Sequence, residues 1–77
     1  MSPKTEAAMN EMVAWANEGN DVIPAFFTWQ FGRSACAAAV RAARKRGLLA
    51  DGGRDGCGNP KYVAAVADMV PASAAVN

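Results

Sequence analysis

Alanine dominates the apolar inventory of this chain, and that limits what the chain can fold into. Eighteen of its forty apolar residues are alanine, and each of these buries little surface. Leu, Ile, Val and Phe together number thirteen in 77 residues, a thin supply for a core. The sequence predicts one small domain and no more. So few large apolar residues would imply disorder at high net charge, but the net charge is +1. The bulky residues also cluster along the chain, as folding requires. Domains this small often lean on a partner, a metal or a second copy. No metal or cofactor is expected: there is no histidine, and Cys36 and Cys57 stand far apart with no paired ligand motif. Two cysteines without a leader pattern argue against an extracellular disulfide scaffold. No apolar run approaches the roughly 20 residues of a membrane span. The expectation is a cytoplasmic domain that does not enter a membrane.

The near-neutral total hides a division of charge. Residues 1–31 set Lys4 against Glu6, Glu11, Glu18 and Asp21, a net of −3. Residues 32–77 set seven cations against Asp51, Asp55 and Asp68, a net of +4. Five of those cations, Arg33, Arg41, Arg44, Lys45 and Arg46, fall between positions 33 and 46 with no acid among them. Such a split points to one side facing a polyanion and an opposite, solvated side. A merely solvated helix face is the plainer alternative.

Punctuation by Pro and Gly divides the chain into short elements. Ser2-Pro3 is a helix start, a capping hydroxyl followed by proline at the first helical position, with Thr5 as an alternative cap. Ala8, Met9, Met12, Val13 and Ala16 then form an amphipathic stripe over roughly 15 residues. Gly19-Asn20-Asp21 ends it. Val22-Ile23 reads as an extended stub before Pro24, which opens a second helix through Gln30, broken by Phe31-Gly32. The four aromatics Phe26, Phe27, Trp29 and Phe31 are expected in the core, with a stacking platform or partner patch as the sharper alternative. A third helix runs from about Arg33 to Arg46. Cys36, Ala39, Val40 and Ala43 share one face; Arg33, Ala37, Arg41, Arg44 and Lys45 share the other. After Gly47 come two short strands, 48–50 and 61–64, around a glycine-rich and mobile tip at 51–60. Residues 65–77 form an Ala/Val-rich tail, expected to dimerise through Val66 and Met69 or to be partly disordered.

This order resembles that of a winged helix-turn-helix domain over roughly residues 5–64, within a domain taken as residues 1–64, and the stretch Arg33 to Val63 carries the most specific part of the likeness. Val40-Arg41-Ala42-Ala43-Arg44-Lys45-Arg46-Gly47-Leu48-Leu49 is similar to the family's basic helix end, followed by Gly-Leu-Leu into the wing. Pro60-Lys61-Tyr62-Val63 resembles its returning strand. One departure lies at the turn between the second and third helices, where the family has glycine, an aliphatic and a capping Ser or Thr. Here Gln30-Phe31-Gly32 stands in that place, so Phe31 would fill the aliphatic pocket and Gly32 would cap.

The resemblance implies a mostly helical α+β fold, three helices and a C-terminal two-stranded β-hairpin wing. It also implies a DNA-binding transcription regulator, probing double-stranded DNA as a homodimer. An α-helix fits the major groove, so Arg33, Ser34, Ala37, Ala38 and Arg41 would face base edges. Arg44 and Lys45 would meet phosphates, Arg54 at the wing tip the backbone or minor groove, and Lys61 would add a weaker contact. Arg46 suits either a phosphate or the helix dipole. No enzyme is expected, because the acids show no paired placement and no helix follows the glycine-rich tip to make a phosphate loop. Cys36 reads as a small core residue and Cys57 as an exposed thiol. The other function class is a protein-binding module, such as a small phage- or plasmid-encoded inhibitor or adaptor of a host complex. Exposed aromatics between Phe26 and Trp29 would then carry the contact.

Overall fold

A computed structural model describes residues 1–65. The dimer contacts expected of Val66 and Met69 lie outside the described residues. Helix α1 spans Pro3–Asn17, a 3-10 turn Pro24–Phe27, α2 Thr28–Phe31 and α3 Arg33–Lys45. Strands β1 (Leu49–Arg54) and β2 (Pro60–Ala64) then pair as an antiparallel hairpin. The fold is mostly helical α+β, three helices followed by a hairpin, arranged as in a winged helix-turn-helix.

Ser2 starts α1: its Oγ accepts the Thr5 N–H at 3.2 Å, with Pro3 in the first turn. The expected stripe is buried as Ala8, Met9, Met12 and Ala16, joined by Thr5, with Val13 packed at its edge. From α3, Cys36, Ala39, Val40 and Ala43 enter the same core. Ala8, Ala39 and Ala43 are fully buried, and their small side chains let the two helices approach closely. Val22, Phe31 and Leu49 close the core at its ends.

The second-helix segment differs from expectation. It opens as a 3-10 turn, with Phe26 N–H donating to Ile23 C=O at 2.9 Å, and Phe31 is the last helical residue of α2. Thr28 Oγ1 donates to Ala25 C=O at 2.9 Å, a side-chain bond that favours the tighter winding. Only two of the four aromatics supply core: Phe31 is buried and Phe27 half-buried. Phe26 is 68% exposed and Trp29 96% exposed. Six residues cannot turn four large rings toward one small core.

Gly32 makes the corner into α3 at φ +87°, a backbone region that side-chain-bearing residues rarely adopt. Its carbonyl accepts the Cys36 N–H at 3.1 Å, so it is the N-cap of α3. At the other end Leu48 N–H donates to Ala43 C=O at 2.8 Å and Gly47 N–H to Arg44 C=O at 3.0 Å. This pair of bonds is a Schellman closure, and it aims the chain into β1.

The hairpin corrects two further expectations. β1 extends through Gly52 and Gly53 to Arg54 rather than ending at Ala50, and Leu48 lies outside it. The register pairs Leu49 with Ala64 and Asp51 with Tyr62, then shifts before Arg54 pairs with Pro60, a β-bulge. The tip shortens to residues 55–59 and is closed rather than open. Asp55 Oδ1 accepts the N–H groups of Cys57 at 2.9 Å and Asn59 at 2.8 Å. The extended stub is confirmed: Val22 and Tyr62 exchange backbone hydrogen bonds at 2.7 and 2.8 Å, tying the helical half to β2.

Candidate nucleic-acid interface

At about 100° per residue, a helix whose core face is Cys36, Ala39, Val40 and Ala43 must turn Ser34, Arg41 and Lys45 directly outward. All three are exposed. Ala38 lies beside them, half-buried. Arg33, Ala37 and Arg44, also exposed, occupy the flank of α3 that looks toward the 3-10 turn and β2. There the structure forms an open groove of about 640 Å³, lined by Arg33, Ala37, Arg41 and Arg44 on one side and by Pro24 and Tyr62 on the other.

A smaller hollow of about 220 Å³ continues along the hairpin and shares Arg44, Pro60 and Tyr62 with the groove. Arg54 lines this second hollow, together with Asp51. Arg44 sits between the two, its guanidinium 5.6 Å from the centre of the Tyr62 ring. Four arginines distant in sequence thus border one concave strip, from the start of α3 to the end of β1. Glu6 and Glu11 of α1 and Glu18 just past its end are exposed, away from the core stripe. α1 and α3 meet core face to core face, so those acids lie off the contact between the helices, as do Arg41 and Lys45 on the outer face of α3.

Three cations expected at the interface have partners inside the fold. Lys61 Nζ pairs with Asp21 Oδ2 at 3.2 Å, which ties it to the loop after α1 rather than leaving it for a ligand. Arg54 Nη1 donates to Gly58 C=O at 2.8 Å, so the side chain braces the tip instead of reaching freely from it. Its remaining donors stay available, because guanidinium carries five. Arg46 points to α1, with Nη1 at 3.8 Å from Met9 Sδ, and acts within the fold. The tip residues Asp55 and Asn59 make turn hydrogen bonds, Asn59 Nδ2 reaching Asp55 Oδ2 at 3.2 Å. The bonds from Asn59 and its neighbours hold the Asp55 carboxyl below its ordinary pKa. Burial raises the Cys36 thiol, and Cys57 is exposed.

Sequence reasoning passed over the opposite wall of the groove. Pro24, Ala25, Thr28 and Tyr62 line it. Tyr62 had one usable signal, strand alternation that sets it on the face opposite Lys61 and Val63. Nothing local marked Pro24 or Thr28; Val22, two residues before Pro24, bridges to Tyr62 and brings this segment beside β2. No protein-family model, curated protein or solved structure matches the chain. Among the described residues no helix is long and apolar enough to cross a membrane.

Proposed function

We propose that this chain is a cytoplasmic DNA-binding transcription regulator, acting on double-stranded DNA as a homodimer, with α3 in the major groove and the hairpin against the backbone. The observation that carries the reading is the strip bordered by Arg33, Arg41, Arg44 and Arg54, with Ser34 and Lys45 exposed on the same helix. Arg41 reads bases, since arginine bonds guanine bidentately, and Ala37 lets the helix lie close. Arg44, Lys45 and Arg54 hold phosphates, which position without specifying. Two details support this division. The first turn of α3 carries Arg33 and no acid, a placement the helix dipole disfavours unless an anion is met there. Gly32 also leaves the first N–H groups of this 13-residue helix without a side-chain cap.

Selection of a bound site from a random duplex pool, followed by titration of variants on that site, tests the proposal. Arg41→Ala is expected to cost about 1–3 kcal/mol and to relax the base preference. Lys61→Ala is expected to change affinity by less than about 1 kcal/mol, because Asp21 already holds that charge. An unenriched pool, or equal effects of the two variants, would overturn the assignment.

A second reading rests on the exposed rings of Phe26 and Trp29. Large aromatics in water are anchors of protein interfaces, and a protein-binding adaptor or inhibitor would use them. In that case Phe26→Ser and Trp29→Ser abolish partner binding while the pool selection yields no motif.

A further inference from the structure

We infer that the groove between α3, the 3-10 turn and the base of β2 is a binding site for a small amphipathic anion, of the aromatic or branched-chain carboxylate class. Its volume of about 640 Å³ falls in the range of small-molecule sites, which are mostly apolar with a few convergent polar groups. The floor fits that description: Cys36, Val40, Pro24 and the Tyr62 ring present carbon and sulfur surface. Burial raises the pKa of the Cys36 thiol, so the floor carries no charge at neutral pH.

The rim supplies the other half of the chemistry. Arg33, Arg41 and Arg44 all line the groove, and no carboxylate is among the described residues that line it. Asp51 lines the neighbouring hollow instead, where its Oδ1 accepts the Gly53 N–H at 2.9 Å. Three like charges around an apolar basin repel one another, and a bound anion relieves that repulsion. A bare phosphate would use the rim but leave the basin wet, and an uncharged apolar body would fill the basin but leave the rim unpaired. A carboxylate on an aromatic or branched body satisfies both. The site does not depend on the DNA reading; only its consequence, competition with duplex for the same three arginines, rests on it.

The test is an amide-shift titration of the full chain with three probes: 1-naphthoate, its neutral counterpart 1-naphthalenemethanol, and inorganic phosphate. Saturable shifts at Ala37, Val40 and Tyr62 are expected with naphthoate, at affinity about tenfold above that for either of the others. Ala37→Glu keeps an exposed helical position, places a carboxylate in the basin and should abolish naphthoate binding. Arg44→Gln should weaken naphthoate about threefold and leave the alcohol unchanged. No saturable shift, an alcohol that binds as well as the acid, or a phosphate that reproduces every shift would each overturn the site. A duplex titration beside it separates the two claims. Naphthoate binding without duplex binding upholds the groove and overturns the DNA reading, and duplex binding without naphthoate shifts does the reverse. Naphthoate weakening the duplex upholds both.

Discussion

Arg54 and Asp55 are neighbours at the end of β1, and both spend hydrogen bonds on the turn that follows. Arg54 holds Gly58 C=O, while Asp55 gathers the N–H groups of Cys57 and Asn59. A carboxylate accepting those donors is stabilised in its ionised form, foremost by the Asn59 N–H, which lowers its folded-state pKa. The sign of the pH dependence follows: this contribution is fully present above the unfolded pKa near 3.8 and is lost as pH falls through the lower folded value. The amides of Cys57 and Asn59 are therefore expected to shift together in acid, with a midpoint below 3.8, and Asp55→Asn should remove that transition. A midpoint at or above the ordinary value would mean the tip is open in solution. Whether an Arg or Lys stays free is likewise a residue-scale matter. Lys61 and Asp21 are 40 positions apart, so their ion pair follows from the tertiary fold and no local pattern contains it.

Among the elements, α1 and α3 were the most legible, because spacings of three and four survive in any packing. Their buried residues match the two stripes, with Thr5 the main addition. The hairpin was legible in kind but not in extent. Gly52-Gly53 reads locally as a turn, yet both continue β1. Gly52 is constrained across the ladder: a Cβ there would stand 3.2 Å from Lys61 O and 3.2 Å from Val63 Cγ1. Glycine is thus serving close strand contact at this bulge, which only the partner strand reveals. The aromatic segment misled for a different reason, since hydrophobic bulk does not state which side of a short turn it occupies. The corner between α2 and α3 makes a sharp prediction. Gly32→Ala meets no atom within 4 Å, so its whole cost is the strained φ of +87°, about 1–2 kcal/mol in a denaturant titration. An unchanged midpoint would show that the corner relaxes, and with it the angle of α3.

At the scale of the whole molecule, the helix-on-helix core decides where the charges go. A core this poor in large side chains closes through small buried residues such as Ala8, Ala39 and Ala43, and that packing leaves the acids of α1 and Arg41 and Lys45 of α3 on the outer faces of the two helices. The charge split was visible in the sequence; the outward placement of both sets needed the packing. The groove and the continuous strip needed the Val22–Tyr62 bridge as well. Acids and cations on the outer faces of different helices would orient the molecule on a polyanion before any base is read. The most direct measurement is the affinity of the full chain for duplex DNA between 50 and 200 mM salt. If Arg33, Arg44, Lys45 and Arg54 neutralise about three to four phosphates, log K should fall with log salt at a slope of about −2.7 to −3.6. Binding that is absent at the lowest salt, or that does not change with salt, would contradict the account.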